Sequence, residues 1–311
     1  MNPARRTAAH LELARGVLAV SGPKRQDFLN GLLSNEVASL RPGEGRLAAL
    51  MDARGHVLAL MRALVTSDSV LLEAPAERLE TLRGLLERYR VAAPVRFAAP
   101  EIKVLAVLGP AAGAMLARAG AELTALGPNA HMEATLAGAP VRVAGAPDLP
   151  AEAHVVHVAA SAAVAVHDAL SAAGSTPLTP DAFDALRIEE GRPLYGVDVT
   201  EDNLLHETGL LAEYHSSTKG CYVGQETVAR LEARGGHVNK ALRGLRLSRP
   251  ASPGAAIQVD GQEAGRITSA AVSDRLGPIA MGFVHRNHFA PGTAVVVDGA
   301  PASVTTLPFP E

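Results

Sequence analysis

The 311-residue chain has one cysteine, no tryptophan, and only 3% aromatic residues. A single cysteine excludes an intrachain disulfide framework and makes a reducing cytoplasm the expected location. It also excludes a cluster held by this chain alone, since an iron–sulfur centre takes about four thiolates. Scarce aromatics argue against a base-stacking platform for single-stranded nucleic acid. The formal net charge of −3 gives no electrostatic case for nucleic acid or an anionic membrane as partner. No apolar run approaches the ~20 residues of a membrane span, and the stretch from Met1 to Arg6 leads into no secretory apolar segment. Neither a Walker A pattern nor G-x-G-x-x-G occurs, so both common glycine-loop routes to a nucleotide are absent. There is no G-x-S-x-G nucleophile elbow. Metal binding is not expected either: His154 and His157 fall on opposite faces of an expected strand.

What is present reads as an alternation of apolar runs and amphipathic helices up to about residue 190. Residues 17–20 and 104–108 are short apolar runs that soon meet Gly-Pro, as buried strands do. Leu79, Leu82, Leu86 and Tyr89 recur at helical spacing between Pro75 and Arg90. Further helices are expected over 111–125 and 161–173. Thr179-Pro180 reads as a cap followed by proline at the first helical position, opening a helix that stops at Gly191. Beyond residue 240 the texture changes to β-rich runs with turns at Asp260-Gly261 and Asp298-Gly299, the signature of a compact all-β unit.

Three segments carry possible chemistry. Glu189 extends the small apolar face of Ala182, Ala185 and Leu186 at a helix C-terminus, where burial and the helix dipole both disfavour a carboxylate. It either pairs with Arg187 or Arg192 at the surface or accepts paired N–H donors from a ligand ring. The extended run Leu194–Thr200 carries Tyr195, Gly196 and Asp198 and leads to Glu207-Thr208-Gly209. Finally, Lys219-Gly220-Cys221-Tyr222-Val223-Gly224-Gln225-Glu226 holds the one thiol. A lone cysteine is most often a small buried hydrophobe. Here Lys219, the flanking glycines, and a helix expected to start after Ser216–Thr218 would each favour thiolate.

The octapeptide resembles the K-G-C-[FY]-x-G-Q-E signature of the YgfZ family, folate-binding relatives of the glycine-cleavage T-protein (aminomethyltransferase). Leu186-Arg187-Ile188-Glu189-Glu190-Gly191, Tyr195-Gly196-x-Asp198 and Glu207-Thr208-Gly209-Leu210 are similar to T-protein segments. So is Phe28–Val37, with its Ser34-Asn35. The resemblance implies an α+β fold of intertwined ferredoxin-like subdomains over residues 1–240. A small antiparallel β-barrel over 241–311 would follow, the whole ringed around a central cavity. It implies tetrahydrofolate, or a one-carbon derivative of it, as cofactor. Glu189 would anchor the pterin, with Arg187, Tyr195, Asp198, Glu207, Tyr222 and Gln225 around it and Cys221 with Lys219 as the reactive pair. The catalytic aspartate of T-proteins falls at Ala59 or Leu60, so aminomethyl transfer has no obvious acid. The expected role is therefore that of a folate-dependent accessory to iron–sulfur enzymes, with those proteins or their assembly factors as transient partners. A T-protein-like aminomethyltransferase and a non-catalytic folate-binding module are the alternatives.

Overall fold

In the computed structural model, described for residues 2–91, 93–124 and 126–310, two β-sheets and a closed barrel account for most of the chain. The first sheet runs Gly45–Met51, Val57–Val65, Ser69–Pro75, Arg15–Ser21, Arg96–Ala98, all antiparallel. The second runs Thr176–Pro177, Ala9–Leu13, Ile102–Leu108, Ala153–Ala159, Ala139–Gly145, His131–Leu136. The two are intertwined: the chain leaves Ala9–Leu13 in the second sheet, builds the first, and returns to the second at Ile102–Leu108.

Each sheet has helices on one face. Arg25–Asn30 and Leu79–Arg90 cover the first, burying Leu29, Leu82 and Leu86. Ala112–Arg118 and Ala163–Ala172 cover the second, burying Leu116, Val166 and Leu170. The helix expected over 111–125 is therefore shorter, ending at Arg118; Ala125 lies outside the described residues. On their other faces the sheets approach one another, and Leu64 of the first joins a core with Leu11, Val104 and Val155 of the second. The strands Gly45–Met51 and Val57–Val65 carry almost continuous buried residues, so no alternating pattern announces them.

The α+β class with a C-terminal barrel is as expected. Six antiparallel strands from Lys240–Leu247 to Ala300–Thr305 close the barrel. Its two Asp-Gly hairpin turns have both residues at positive φ: Asp260 at 50° and Gly261 at 77°, Asp298 at 49° and Gly299 at 75°. This is the primed turn geometry that suits the twist of paired strands.

The helix Pro180–Glu189 stands between barrel and sheets. Thr179 caps it, its hydroxyl accepting from the Ala182 amide at 3.3 Å. One side packs Phe183 and Leu186 on the sheet core. The other packs Ile188 against Leu242, Ile279, Met281, Phe283 and Phe309 of the barrel and the residues after it.

Candidate functional site

A cavity of about 570 Å³ lies between the two sheets and the first turns of the Pro180–Glu189 helix. Its apolar lining includes Leu11, Leu13, Leu60, Phe183 and Leu194, with Tyr195 and Tyr214 beside them. No barrel residue lines it; the barrel supports the helix from behind.

One wall is charged. Arg62 and Glu73 are direct cross-strand partners in the first sheet, and their side chains meet at 2.9 Å with no exposed surface. Asp148, from the loop after Ala139–Gly145, also bonds Arg62. Arg15 bridges both acids, its Nη1 lying 2.8 Å from Glu73 Oε1 and 2.9 Å from Asp148 Oδ2. From the second sheet His157 Nε2 reaches Glu73 Oε2 at 2.7 Å. Burying four charges costs several kcal/mol per ion, and the closed ring of contacts is what offsets it. Burial works against the Glu73 and Asp148 carboxylates, but the arginines outweigh it and hold both below the usual carboxylate range. Burial likewise works against the Arg15 cation; Asp148 and Glu73 more than compensate. Burial, with Asp148 nearby, pushes the Tyr214 phenol up.

Of the residues expected from the sequence to bind a ligand or react, Tyr195 alone lines this cavity. Its hydroxyl donates to the Leu58 carbonyl at 2.6 Å, and the Arg78 guanidinium lies 5.5 Å from the ring centroid. Arg187 and Asp198 meet each other at 2.8 Å instead, both buried. Arg187 also donates to Ser269 at 2.8 Å. Asp198 accepts from Thr268 at 2.5 Å, Ser269 at 2.6 Å and the Leu194 amide at 2.9 Å. The pair thus ties helix, extended run and barrel together.

Glu189 is buried and faces away from the cavity. It pairs with Arg5 and accepts from Ser273 at 2.5 Å. The surface partners expected for it are engaged elsewhere, Arg187 with Asp198 and Arg192 with Glu213. Glu207 is buried beside Lys240 (3.8 Å) and accepts from the Leu204 amide at 3.2 Å; burial raises its carboxyl.

The octapeptide forms a loop up to Gly224, and the helix expected to begin by Cys221 starts only at Gln225. Cys221 is exposed. Lys219 turns inward, donating to the Asn30 carbonyl at 2.6 Å and to that of Leu33, with its ammonium 4.9 Å from the Tyr222 ring centroid. Burial lowers the Lys219 ammonium to about 8, but its described partners are these carbonyls and not the thiol. Gln225 accepts from the Tyr222 amide at 3.4 Å. Gly224 is obligatory: at φ 87°, an added Cβ would stand 2.6 Å from the Asp52 carbonyl. The loop therefore packs on the Asp52–Gly55 turn. Ala59 is buried in the core of the first sheet and Leu60 faces the cavity, so no carboxylate stands at either position. Among the described residues no group of three or more His, Cys, Asp or Glu side chains is placed to hold a metal ion. No helix among them is long and apolar enough to cross a membrane.

The chain matches the GCVT N-terminal domain over residues 11–213 and the glycine cleavage T-protein C-terminal barrel domain over residues 240–310. It belongs to the glycine-cleavage T-protein family. Similar curated members include the aminomethyltransferase of Streptomyces avermitilis, 30% identical over 94% of this chain and 84% of its own length. The mitochondrial aminomethyltransferase of Gallus gallus is 30% identical over 93% and 78%. A chloroplastic Arabidopsis thaliana protein described as a candidate transferase is 26% identical; the match spans 91% of this chain and 66% of that protein. The crystal structure of aminomethyltransferase T from Bartonella henselae superposes with a TM-score of 0.88 at 25% identity, covering 99% of this chain and 88% of that one.

Residue-by-residue reading missed the four-charge wall. Its signal is a lone charge inside an apolar run: Arg62 within Leu58–Val65 and Glu73 within Val70–Ala74. A strand can hold such a charge only with a partner, and the partners lie 11 to 86 residues apart.

Proposed function

We propose that the cavity binds a reduced folate, tetrahydrofolate or a one-carbon derivative, and that the protein works as a folate-dependent transferase. The observation that carries the reading is the cavity itself: about 570 Å³, apolar on its flanks, with one wall of fixed donors and acceptors. Ligand pockets of this size combine apolar lining with a few placed polar groups. Leu11, Leu60 and Phe183 suit the faces of a flat ring, and the charged wall suits its heteroatoms. Tyr195 contacts the ligand directly; Arg187, Asp198 and Glu189 hold the helix that walls it. Folate and family agree, because the curated relatives are aminomethyltransferases.

Leu60 distinguishes this chain within that reading. With no acid at 59 or 60, the carboxylate assigned this part is Asp184, which lines the cavity with Glu12 and Glu77 outside the charged wall and is the one of the three held by the Arg187 Nε. Tetrahydrofolate titrated into the purified protein should bind. An aminomethylated carrier protein should then yield methylene-tetrahydrofolate, at a rate lowered about 10²-fold or more in Asp184→Asn. Absence of folate binding overturns the reading. Binding without turnover reduces the protein to a folate-binding module.

The exposure of Cys221 supports a second reading, a folate-dependent accessory to iron–sulfur enzymes in which the thiol meets a cluster or a partner thiol in a reducing compartment. In-cell activity of such enzymes should then fall in Cys221→Ala while folate affinity is unchanged. Full complementation by that variant removes this reading.

A further inference from the structure

A second cavity, of about 460 Å³, shares no lining residue with the first. Four pieces of chain meet there. They are the short turn Leu205–Thr208, the loop after the helix Gln225–Ala233, the first barrel strand Lys240–Leu247, and the residues following the strand Gly277–His285. In character it is the reverse of the first cavity. Its side chains are mostly polar or charged, and its one aromatic ring, Phe289, already has the Arg243 guanidinium 4.5 Å from its centroid. No apolar slot for a flat ring remains.

Arg243 is locked in place. Its Nε donates to the Phe289 carbonyl at 3.1 Å and its Nη1 to the Leu242 carbonyl at 2.9 Å. Neither bond uses Nη2. Arg15, Arg62 and Arg187, the other arginines drawn into the fold, each meet a carboxylate. Arg243 is half-buried and meets none among the described residues; burial alone acts on its cation, and lowers its pKa. A guanidinium withdrawn from water with no counterion is costly. Held rigid at a cavity, it is also a preorganised planar donor for an anion.

The rest of the lining agrees. Arg286 is exposed at the same cavity and forms no ion pair among the described residues. His206 Nε2 is buried there with no hydrogen-bond partner, and burial lowers the imidazole, so the ring is neutral. Glu207 is the one acid, and two arginines against it leave one formal positive charge in excess. Just outside the lining, Lys240 stands 3.8 Å from Glu207, and the Glu232 carboxylate, which acts on His206, offsets it. An excess of one charge matches a monoanion. A phosphate dianion would set its second charge against Glu207.

We propose that this cavity is a second ligand site, for a small carboxylate held by Arg243 and Arg286 where the barrel meets the Leu205–Thr208 turn. The inference is independent of the folate reading. It also gives Glu207 a place at a ligand, though at a different cavity from Tyr195.

The test uses the full chain with acetate, glycolate and inorganic phosphate at constant ionic strength, so that screening cannot mimic binding. Arginine Nε–Hε cross-peaks are followed by NMR, those of Arg243 and Arg286 being identified by their loss from Arg243→Met and Arg286→Met. Acetate or glycolate should move both signals along one saturating curve, and phosphate should bind more weakly. Arg286→Met, an exposed substitution, should weaken the curve read at Arg243 about tenfold or more, as loss of a charge-assisted bond does. Arg243→Met should abolish the response of Arg286, with melting curves confirming that both variants are folded. If neither signal responds saturably to a carboxylate, the site does not exist. A tighter curve for phosphate overturns the carboxylate assignment. A curve at Arg243 that is unchanged in Arg286→Met overturns the two-arginine clamp.

Discussion

Two buried ion clusters flank the Pro180–Glu189 helix, and they differ in what they face. At the barrel junction Arg187 and Asp198 are surrounded by Asp184, Ser269, Thr268 and the Leu194 amide. Apart from Asp184, which lines the cavity, that cluster is closed and serves architecture. At the cavity wall the ring of Arg15, Arg62, Glu73 and Asp148 is balanced in charge, and its outer members Arg15 and Asp148 keep some exposed surface. The contrast shows that burial and pairing of charge do not by themselves mark a site. Polar groups that line an apolar cavity do more to mark one.

The largest effect expected from breaking this contrast is at Arg62. Arg62→Met removes the cation shared by two buried acids and should destabilise the fold by about 3–5 kcal/mol, measured from urea unfolding midpoints. Asp198→Asn keeps the shape and several hydrogen bonds of the junction and should cost less, about 1.5–3 kcal/mol. The reverse order would make the junction, and not the wall, the electrostatic keystone of the chain.

Acid pH sharpens the same point. The Glu73 and Asp148 carboxyls are held below their ordinary values of 4.5 and 3.8. Their contribution is complete above that range and is lost as pH falls through and below it. Stability of the wild type should therefore drop on going from pH 5 toward 3. Glu73→Gln, less stable at neutrality, should show a shallower drop. Burial, with His167 beside it, also lowers the His10 imidazole from 6.5 to about 4. Its neutral form is the folded one, so stability falls further between those two values as pH decreases; His10→Gln should remove that part of the slope.

Smaller effects lie outside both clusters. Thr179→Ala removes the helix cap and should cost about 1 kcal/mol, read as a lowered melting temperature. Cys221→Ala, on an exposed loop, should change stability by no more than about 0.5 kcal/mol. A loss well above that would show that the thiol is a packing group after all.

How far the sequence leads depends on the range of the forces involved. The capped helix at 180–189 and the two Asp-Gly hairpins are legible because a cap or a turn is decided within three or four residues. The strands at 45–51 and 57–65 are not, because alanine and leucine fill both of their faces. Glu189 is noticeable locally as a carboxylate in the wrong place, but its partner Arg5 is 184 residues away, beyond any local rule. Cys221 illustrates the converse. Its motif carries the family resemblance, yet the charges expected around it are directed elsewhere, with Lys219 turned inward to two carbonyls. The cavity wall draws on four separate stretches of chain, so only the fold assembles it.

The amide of Phe309 donates to the carbonyl of Glu189 at 2.8 Å, and its ring packs on Ile188. During synthesis, then, the back of the helix that walls the cavity is incomplete until residue 309 has left the ribosome. Until that moment part of the apolar surface around Ile188 is open to water, the kind that invites misassembly. A ligand-competent cavity is accordingly a late product of translation, although nearly all the residues lining it are made in its first two thirds.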